Sequence, residues 1–133
     1  MSSIAVDTSV LLSIFKGEES GAAWLEKLET LAASGRLVIS PVVMAELRSF
    51  FPTDALCLKV LKELDLSMEE FSGEALLLAG GIFRSYRKHG GPRSTILPDF
   101  LVVAHAAVQT DGLASEDRGY LRKYFPKIKL IKL

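Results

Sequence analysis

Short apolar runs and amphipathic segments alternate along the whole chain. Residues 4–6, 37–39 and 113–115 lack the polar alternation of a half-exposed strand, which predicts short strands buried on both faces. Residues 64–68 and 128–131 predict two more strands. Apolar positions recur at helical spacing in the segments between them, notably 20–34, 73–89 and 100–109. Strands that alternate with helices predict an α/β fold, a three-layer sandwich with a mostly parallel central sheet.

Residues that cap helices follow several of these strands. Thr8 or Ser9 is the predicted N-cap of the first helix, and Ser40 with Pro41 begins a helix that carries residues 42–51. Thr53 is the predicted cap of the helix after it. Right-handed crossovers place the strand-to-helix turns of a parallel sheet on one edge, which is where ligands bind in such folds. The residues at these turns are therefore the first candidates for a functional site.

Composition limits the class of protein. The 133 residues are 49% hydrophobic, which predicts one globular domain over residues 1–133. The single cysteine, Cys57, excludes an intrachain disulfide, fits a reducing compartment and is predicted to pack in the core. Residues 1–3 lack the basic start of a signal peptide, and no apolar run reaches the ~18 residues that a membrane span needs. We therefore expect a cytoplasmic location and no membrane partner.

Charge is unevenly distributed, although the formal net charge is zero. Residues 1–74 hold twelve acids and six bases, a net charge of −6, and residues 75–133 hold four acids and ten bases, a net charge of +6. Such asymmetry is compatible with a surface that faces a polyanion and equally with solvated helix faces. Charge by itself therefore does not identify a nucleic-acid-binding protein.

Four acidic residues fall at or near the predicted sheet edge. Asp7 follows the first strand, and Glu46 lies in the second turn of the helix after the second strand. Asp99 lies in the first turn of a buried helix, and Asp117 lies in the turn after strand 113–115. Clustered carboxylates with no lysine among them repel one another strongly. Oxygen ligands suit Mg²⁺ or Mn²⁺, whereas Zn²⁺ favours His or Cys, and the chain has only two histidines. One or two such ions could activate water for displacement at phosphorus.

Each acid also has a purely structural interpretation. Asp7 could cap a helix, and Asp99 could interact with the positive end of its helix dipole. Glu46 could form a core ion pair with Arg48 or another base, and Asp117 could form a turn. Convergence of all four acids at one edge favours the metal site.

The acids occur in four segments whose order and spacing span nearly the whole chain. These are residues 7–12 (DTSVLL), 40–47 (SPVVMAEL), 98–106 (PDFLVVAHA) and 113–120 (LASEDRGY). No segment is specific alone, but together they resemble a PIN domain, and within that class a VapC-type toxin ribonuclease. The resemblance implies a PIN-like fold and a metal-dependent endoribonuclease that hydrolyses RNA phosphodiester bonds.

The same resemblance implies roles for individual residues and partners. The four acids would bind Mg²⁺ or Mn²⁺, and Ser9 and Ser115, where the family often has Asn and Thr, would orient neighbouring carboxylates. A homodimer and a cognate antitoxin, with its C-terminal segment in the acidic groove, are also implied. The basic segments 84–93 and 118–123 either hold RNA phosphates beside that groove or are solvated helix ends.

His105 departs from the family pattern, in which small residues are frequent in this helix. It lies about 120° around the helix from Asp99 at 3.6 residues per turn. We therefore predict a packed or hydrogen-bonded histidine and not a metal ligand.

The sequence argues against some other phosphoryl-transfer sites and leaves two alternative functions. A haloacid-dehalogenase-type site needs a second Asp two residues after the first, where Ser9 stands, and a response-regulator receiver needs an acidic pair before the first helix and a late Lys. The phosphate-binding loop Gly-x-x-x-x-Gly-Lys-(Ser/Thr) is absent. A PIN-like protein-binding module without catalysis, which would tolerate loss of the four acids, and a housekeeping RNA-processing nuclease are the remaining alternatives.

Overall fold

A five-stranded, all-parallel sheet forms the centre of the protein, with helices on both faces. The computed structural model describes residues 2–133, and the strand order is β3-β2-β1-β4-β5. The strands are β1 Ser2–Val6, β2 Gly35–Ile39, β3 Leu66–Met68, β4 Leu113–Ala114 and β5 Leu130–Ile131. The helices are α1 Thr8–Phe15, α2 Gly21–Ser34, α3 Pro41–Arg48, α4 Asp54–Glu63, α5 Gly73–Lys88 and α6 Leu97–Gln109, with a 3₁₀ helix at Arg118–Tyr124. The predicted α/β sandwich with a parallel sheet is confirmed.

The chain changes the direction in which it crosses the sheet, and the change places β1 beside β4. From β1 the chain crosses to β2 and then β3 on one side, and later returns to β4 and β5 on the other. Right-handed crossovers therefore place α1 to α4 on one face of the sheet and α5 and α6 on the opposite face. The ends of β1 and β4 flank a crevice where the two sets of helices separate, and such switch points are where open α/β sheets bind ligands.

The local signals at helix starts are confirmed in most places. Ser40 accepts a hydrogen bond from the backbone N–H of Val43, with Pro41 at the first helical position, and Thr53 caps α4 in the same way. The prediction for α1 was wrong, because its N-cap is Asp7 and not Thr8 or Ser9. The Asp7 carboxylate itself accepts a hydrogen bond from the N–H of Thr8. A residue expected to bind a ligand thus also begins a helix.

Helix α3 is shorter than predicted. It ends at Arg48 and does not continue to Phe51. Pro52 follows Phe51 and disfavours helical backbone at the residue before it. The Arg48 side chain then stabilises the turn by donating to the Phe51 carbonyl and to Asp54.

The core on the α5 and α6 side is built from aromatic rings around Phe100. This side chain is fully buried, and its ring centroid lies 5.3 Å from that of Phe83 and 5.1 Å from that of Tyr86. Tyr124 and Phe125 complete the cluster at 6.1 Å and 6.4 Å. Phe100 follows Asp99 directly, so the position of an acidic residue depends on how this ring packs.

Cys57 is also buried, as predicted.

His105 is buried in α6 and contacts a carboxylate outside the acidic group. Its Nε2 lies 2.8 Å from Glu69 Oε1, and its ring packs edge-on against Phe71. Among residues 2–133, Nδ1 has no hydrogen-bond partner, so the neutral tautomer with its proton on Nε2 satisfies the contact with Glu69. The prediction of a packed, hydrogen-bonded histidine is confirmed.

This contact predicts a loss of stability in mild acid. Burial lowers the pKa of His105 below its ordinary value of 6.5, against the opposing effect of Glu69. The folded state therefore keeps the His105 ring neutral. The contribution of the neutral ring to the free energy of unfolding is complete above about pH 6.5 and is lost as the pH falls through the lowered pKa. Urea denaturation from pH 8 to pH 5 should show a steeper loss for the wild type than for His105→Gln, which retains an N–H donor toward Glu69. Parallel stability curves for the two proteins would contradict this interpretation.

Within residues 2–133, no helix combines the length and the apolar character needed to cross a lipid bilayer.

Candidate functional site

Asp7 lies at the switch point between β1 and β4, and its carboxylate is completely buried. One oxygen, Oδ1, accepts from the Thr8 N–H at 2.8 Å. The other, Oδ2, accepts from the hydroxyls of Ser115 at 2.6 Å and Ser9 at 3.3 Å. The contacts expected of Ser9 and Ser115 are therefore present. Burial of a carboxylate is costly unless such donors compensate for lost water, and these contacts hold Asp7 in one orientation.

The Ser115 hydroxyl also organises the turn after β4. While donating to Asp7, it accepts from the backbone N–H groups of Asp117 at 3.2 Å and Arg118 at 2.9 Å. The N–H of Glu116 donates to the Ser9 hydroxyl at 2.9 Å. One pair of serines thus joins the start of α1 to the start of the 3₁₀ helix, and a change at either serine would move both Asp7 and Asp117.

Glu46 and Asp99 approach Asp7 from two other helices. The Thr8 hydroxyl donates to Glu46 Oε1 at 2.7 Å, which connects α1 with α3. Asp99 Oδ2 accepts from the backbone N–H of Ile96 at 2.8 Å, which holds the carboxylate at the N-terminus of α6. Glu46 and Asp99 therefore each have one carboxylate oxygen held by Thr8 or Ile96 and a second oxygen that does not contact these donors.

A guanidinium group joins the three acids. Arg118 Nη1 donates to Asp7 Oδ1, Nη2 to Glu46 Oε2 at 2.9 Å, and Nε to Asp99 Oδ1 at 3.1 Å. The Arg118 side chain is only 11% exposed. Burial lowers the pKa of Arg118, but the charges of Asp7 and Glu46 outweigh this effect and raise the pKa above its ordinary value. Arg118 is therefore a permanent cation at the centre of the acids.

Asp117 lies at the edge of this group without a side-chain hydrogen bond or ion pair among residues 2–133. Partial burial raises the pKa of Asp117, the negative charge of Asp7 raises it further, and Arg118 acts in the opposite direction. The raised pKa of Asp117 therefore reflects both its partial burial and the negative charge of the neighbouring acids.

These groups line an open cleft of about 420 Å³, called here the acidic cleft. Its lining residues are Thr8, Ser9, Leu12, Glu46, Ser49, Phe50, Asp99, Asp117, Arg118 and Tyr120. With Asp7 beneath it, the cleft combines four carboxylates with one guanidinium, an excess of negative charge carried by hard oxygen donors. This donor set fits Mg²⁺ or Mn²⁺ and not a metal that favours nitrogen or sulfur. Within the described residues, no group of three Asp, Glu, His or Cys side chains is spaced as metal ligands are. Asp7, Glu46 and Asp99 instead converge on Arg118.

The structure corrects two expectations about basic residues. Glu46 forms an ion pair, as its structural interpretation allows, but its partner is Arg118 and not Arg48, which pairs with Asp54. Arg118 was expected only in a basic segment beside the groove, yet it lies inside the acidic group. The sequence signal that could have indicated this place for Arg118 is its position directly after Asp117.

A family model for the PIN domain matches residues 4–126. The chain belongs to the PIN domain family. PIN domains are generally nucleases and typically use divalent metal ions. A comparison with curated proteins gave no match.

Three solved structures share the fold of this chain. VapBC2 from Rickettsia felis, bound to a DNA fragment from its promoter, superposes with a TM-score of 0.75 at 20% identity, with 98% of each chain covered. VapBC-1 from nontypeable Haemophilus influenzae has a TM-score of 0.75 at 17% identity and covers 98% of this chain and 97% of that one. FitAB bound to an IR36 DNA fragment has a TM-score of 0.64 at 16% identity, with 97% and 94% covered. At these identities the likeness is one of fold.

Proposed function

We propose that this PIN domain is a Mg²⁺- or Mn²⁺-dependent endoribonuclease and the toxin of a toxin–antitoxin pair. The observation that supports this proposal most directly is the convergence of Asp7, Glu46 and Asp99 from three separate elements. Carboxylates that served only as caps or turn formers would not need to share one cation. Their meeting point is also the switch point of the sheet, where a ligand has access.

Asp7, Glu46, Asp99 and Asp117 are the residues that would hold the metal. A divalent ion bound there would activate water and stabilise developing charge at phosphorus. The protein's own contribution is to fix the carboxylates: Ser9 and Ser115 orient Asp7, Thr8 orients Glu46, and the Ile96 N–H orients Asp99. Such supporting contacts typically affect metal affinity or activity by about 10- to 100-fold.

A second cleft, called here the basic cleft, supports a nucleic-acid substrate. It is lined by Phe83, Tyr86, Arg87, Gly90, Gly91, Pro92, Arg93, Thr95 and Ile96. The two clefts are adjacent, since Thr95 of the basic cleft hydrogen-bonds at 3.0 Å to Tyr120 of the acidic cleft. Arg87 and Arg93 would bind backbone phosphates of an RNA whose scissile bond lies in the acidic cleft.

The protein partners in this proposal follow from the resemblance and the structural neighbours. The neighbours were solved as VapBC and FitAB complexes, two of them with DNA. We extend to this chain a cognate antitoxin that covers the acidic cleft, and a homodimer. Helix α5 presents three consecutive leucines with substantial exposure, including Leu77 at 80%, which is suited to a subunit contact.

The test is cleavage of a mixed RNA pool by the purified protein with Mg²⁺ or Mn²⁺. We expect cleavage with either ion, its loss in excess EDTA and its return when Mn²⁺ is added beyond the chelator, because the acids need a divalent cation to act on a phosphodiester. Cleavage that persists unchanged in EDTA would contradict the metal dependence. Intact RNA at saturating Mn²⁺, in pools from several sources, would favour a binding module instead.

A further inference from the structure

Arg118 contacts three of the four carboxylates that would hold a metal ion in the acidic cleft. Asp7 Oδ1, Glu46 Oε2 and Asp99 Oδ1 all accept from its guanidinium, and all three nitrogen atoms of that group are engaged. Three acids carry three negative charges, and Arg118 balances only one of them. The remaining charge favours a divalent cation over a guanidinium, but both cannot lie between the same three oxygens.

We propose that Arg118 is an internal counter-ion that holds the cation position between Asp7, Glu46 and Asp99 and is displaced by the divalent metal. This inference rests on the proposed metal site. Arg118 thereby sets the metal concentration at which the protein can become active. No antitoxin is required for this restraint, because it is supplied by the chain itself.

Burial supports the idea that Arg118 must move. Asp7 has no exposed surface and does not line the cleft, whereas Arg118, which donates to Asp7 Oδ1, does line it. An ion that enters from the cleft can reach Asp7 Oδ1 only when the guanidinium leaves. Arg118 also supplies a counter-ion to Asp7, since a buried carboxylate without one would be costly.

The position of Arg118 in the chain makes such movement possible. It is the first residue of the 3₁₀ helix, and its backbone is held by the Ser115 hydroxyl independently of its side chain. The side chain lines the open acidic cleft, so rotation about its own bonds can carry the guanidinium into the cleft without movement of the backbone. Asp117, the preceding residue, has no side-chain partner among residues 2–133 and can join the ligands when Arg118 leaves.

The experiment compares Mn²⁺ binding by the wild type, Arg118→Gln and Arg122→Gln. Arg122 is an exposed residue of the same 3₁₀ helix and forms no ion pair among the described residues, so its variant controls for loss of one positive charge. Affinity is measured by calorimetry with Mn²⁺ as the only ligand, at fixed ionic strength. We expect Arg118→Gln to bind Mn²⁺ at least about tenfold more tightly than the wild type, because no cation has to be displaced, and Arg122→Gln to match the wild type.

Thermal unfolding supplies a second readout that does not depend on activity. Without metal, Arg118→Gln should melt below the wild type because its acids repel, and Mn²⁺ should raise its melting temperature more than that of the wild type. Should Arg118→Gln fail to fold, Arg118→Lys replaces it. A lysine keeps the charge but lacks the planar fork of N–H donors with which Arg118 contacts the three carboxylates, so Mn²⁺ should still bind more tightly than to the wild type.

The failure of this inference is distinguishable from failure of the proposed function. Equal or weaker Mn²⁺ binding by both Arg118 variants would overturn the counter-ion role while leaving the metal site intact. Absence of Mn²⁺ binding in every protein would overturn the metal site itself and the inference with it. Loss of binding when Asp7→Asn is added to each background would place the measured ion in this cleft and support the inference.

Discussion

Replacing Asp7 by Asn should reduce RNA cleavage in Mg²⁺ or Mn²⁺ by at least about 100-fold. Asparagine has the same shape, and its one side-chain oxygen can still accept from the Thr8 N–H, so the start of α1 should keep its position. Its amide nitrogen takes the place of the oxygen that accepts from the Ser115 and Ser9 hydroxyls. What is lost is the negative charge at the buried centre of the site. Changes in contacts that only support a metal ligand already cost about 10- to 100-fold, and loss of a ligand itself should cost more. The measurement is the initial rate of RNA cleavage at saturating metal.

Asp54→Asn is the matched control for this experiment. Asp54 has an 84% exposed side chain that pairs with Arg48 away from the acidic cleft, so the same chemical change there should leave cleavage within about twofold of the wild type. Circular dichroism and thermal melting must show that both variants are folded. Full cleavage by a folded Asp7→Asn protein would remove Asp7 from the proposed site.

The largest effect on stability is expected from Phe100→Ala. Phe100 is fully buried among four other aromatic rings, and truncation leaves a cavity that these rings can fill only in part. The expected loss in free energy of unfolding is about 3–5 kcal/mol, a large part of the 5–15 kcal/mol that stabilises a typical domain. Urea denaturation at neutral pH measures it from the shift in midpoint.

Phe50→Ala is the corresponding change at an exposed aromatic residue. Phe50 is 52% exposed, and its ring centroid lies 5.2 Å from the ammonium nitrogen of Lys16. Its loss should therefore cost less than about 1 kcal/mol. Similar losses for the two variants would mean that the aromatic cluster around Phe100 is not the main source of stability on the α5 and α6 side of the sheet.

The regular elements were predictable because they are encoded by local pattern. Apolar runs without alternation mark strands buried on both faces, and all five predicted strands are present. Ser40 and Thr53 marked their helix starts because capping depends on residues three positions apart. The errors fall where two local signals compete. Ligand binding and helix capping were treated as alternatives for Asp7, with Thr8 or Ser9 as the predicted cap. In the structure one carboxylate oxygen of Asp7 forms the cap and leaves the other for the serines.

The candidate site was predictable in its acids but not in its internal contacts. Asp7, Glu46, Asp99 and Asp117 follow from the order of strands and helices, since parallel strands bring their ends to one edge. Which base meets which acid depends on side chains that are far apart in sequence. Glu46 is two residues from Arg48 but pairs with Arg118, 72 positions away.

The sequence by itself determined the alternation of strands and helices, the PIN domain resemblance and the identity of the four acids, because each depends on local pattern and chain order. The tertiary structure alone decided that Arg118 lies among the acids, that Thr8, Ser9 and Ser115 hold two of the carboxylates, and that the acidic and basic clefts are adjacent. These are contacts between distant segments. They form only when packing of the helices on both faces of the sheet brings the ends of β1 and β4 and the starts of α3 and α6 to one point.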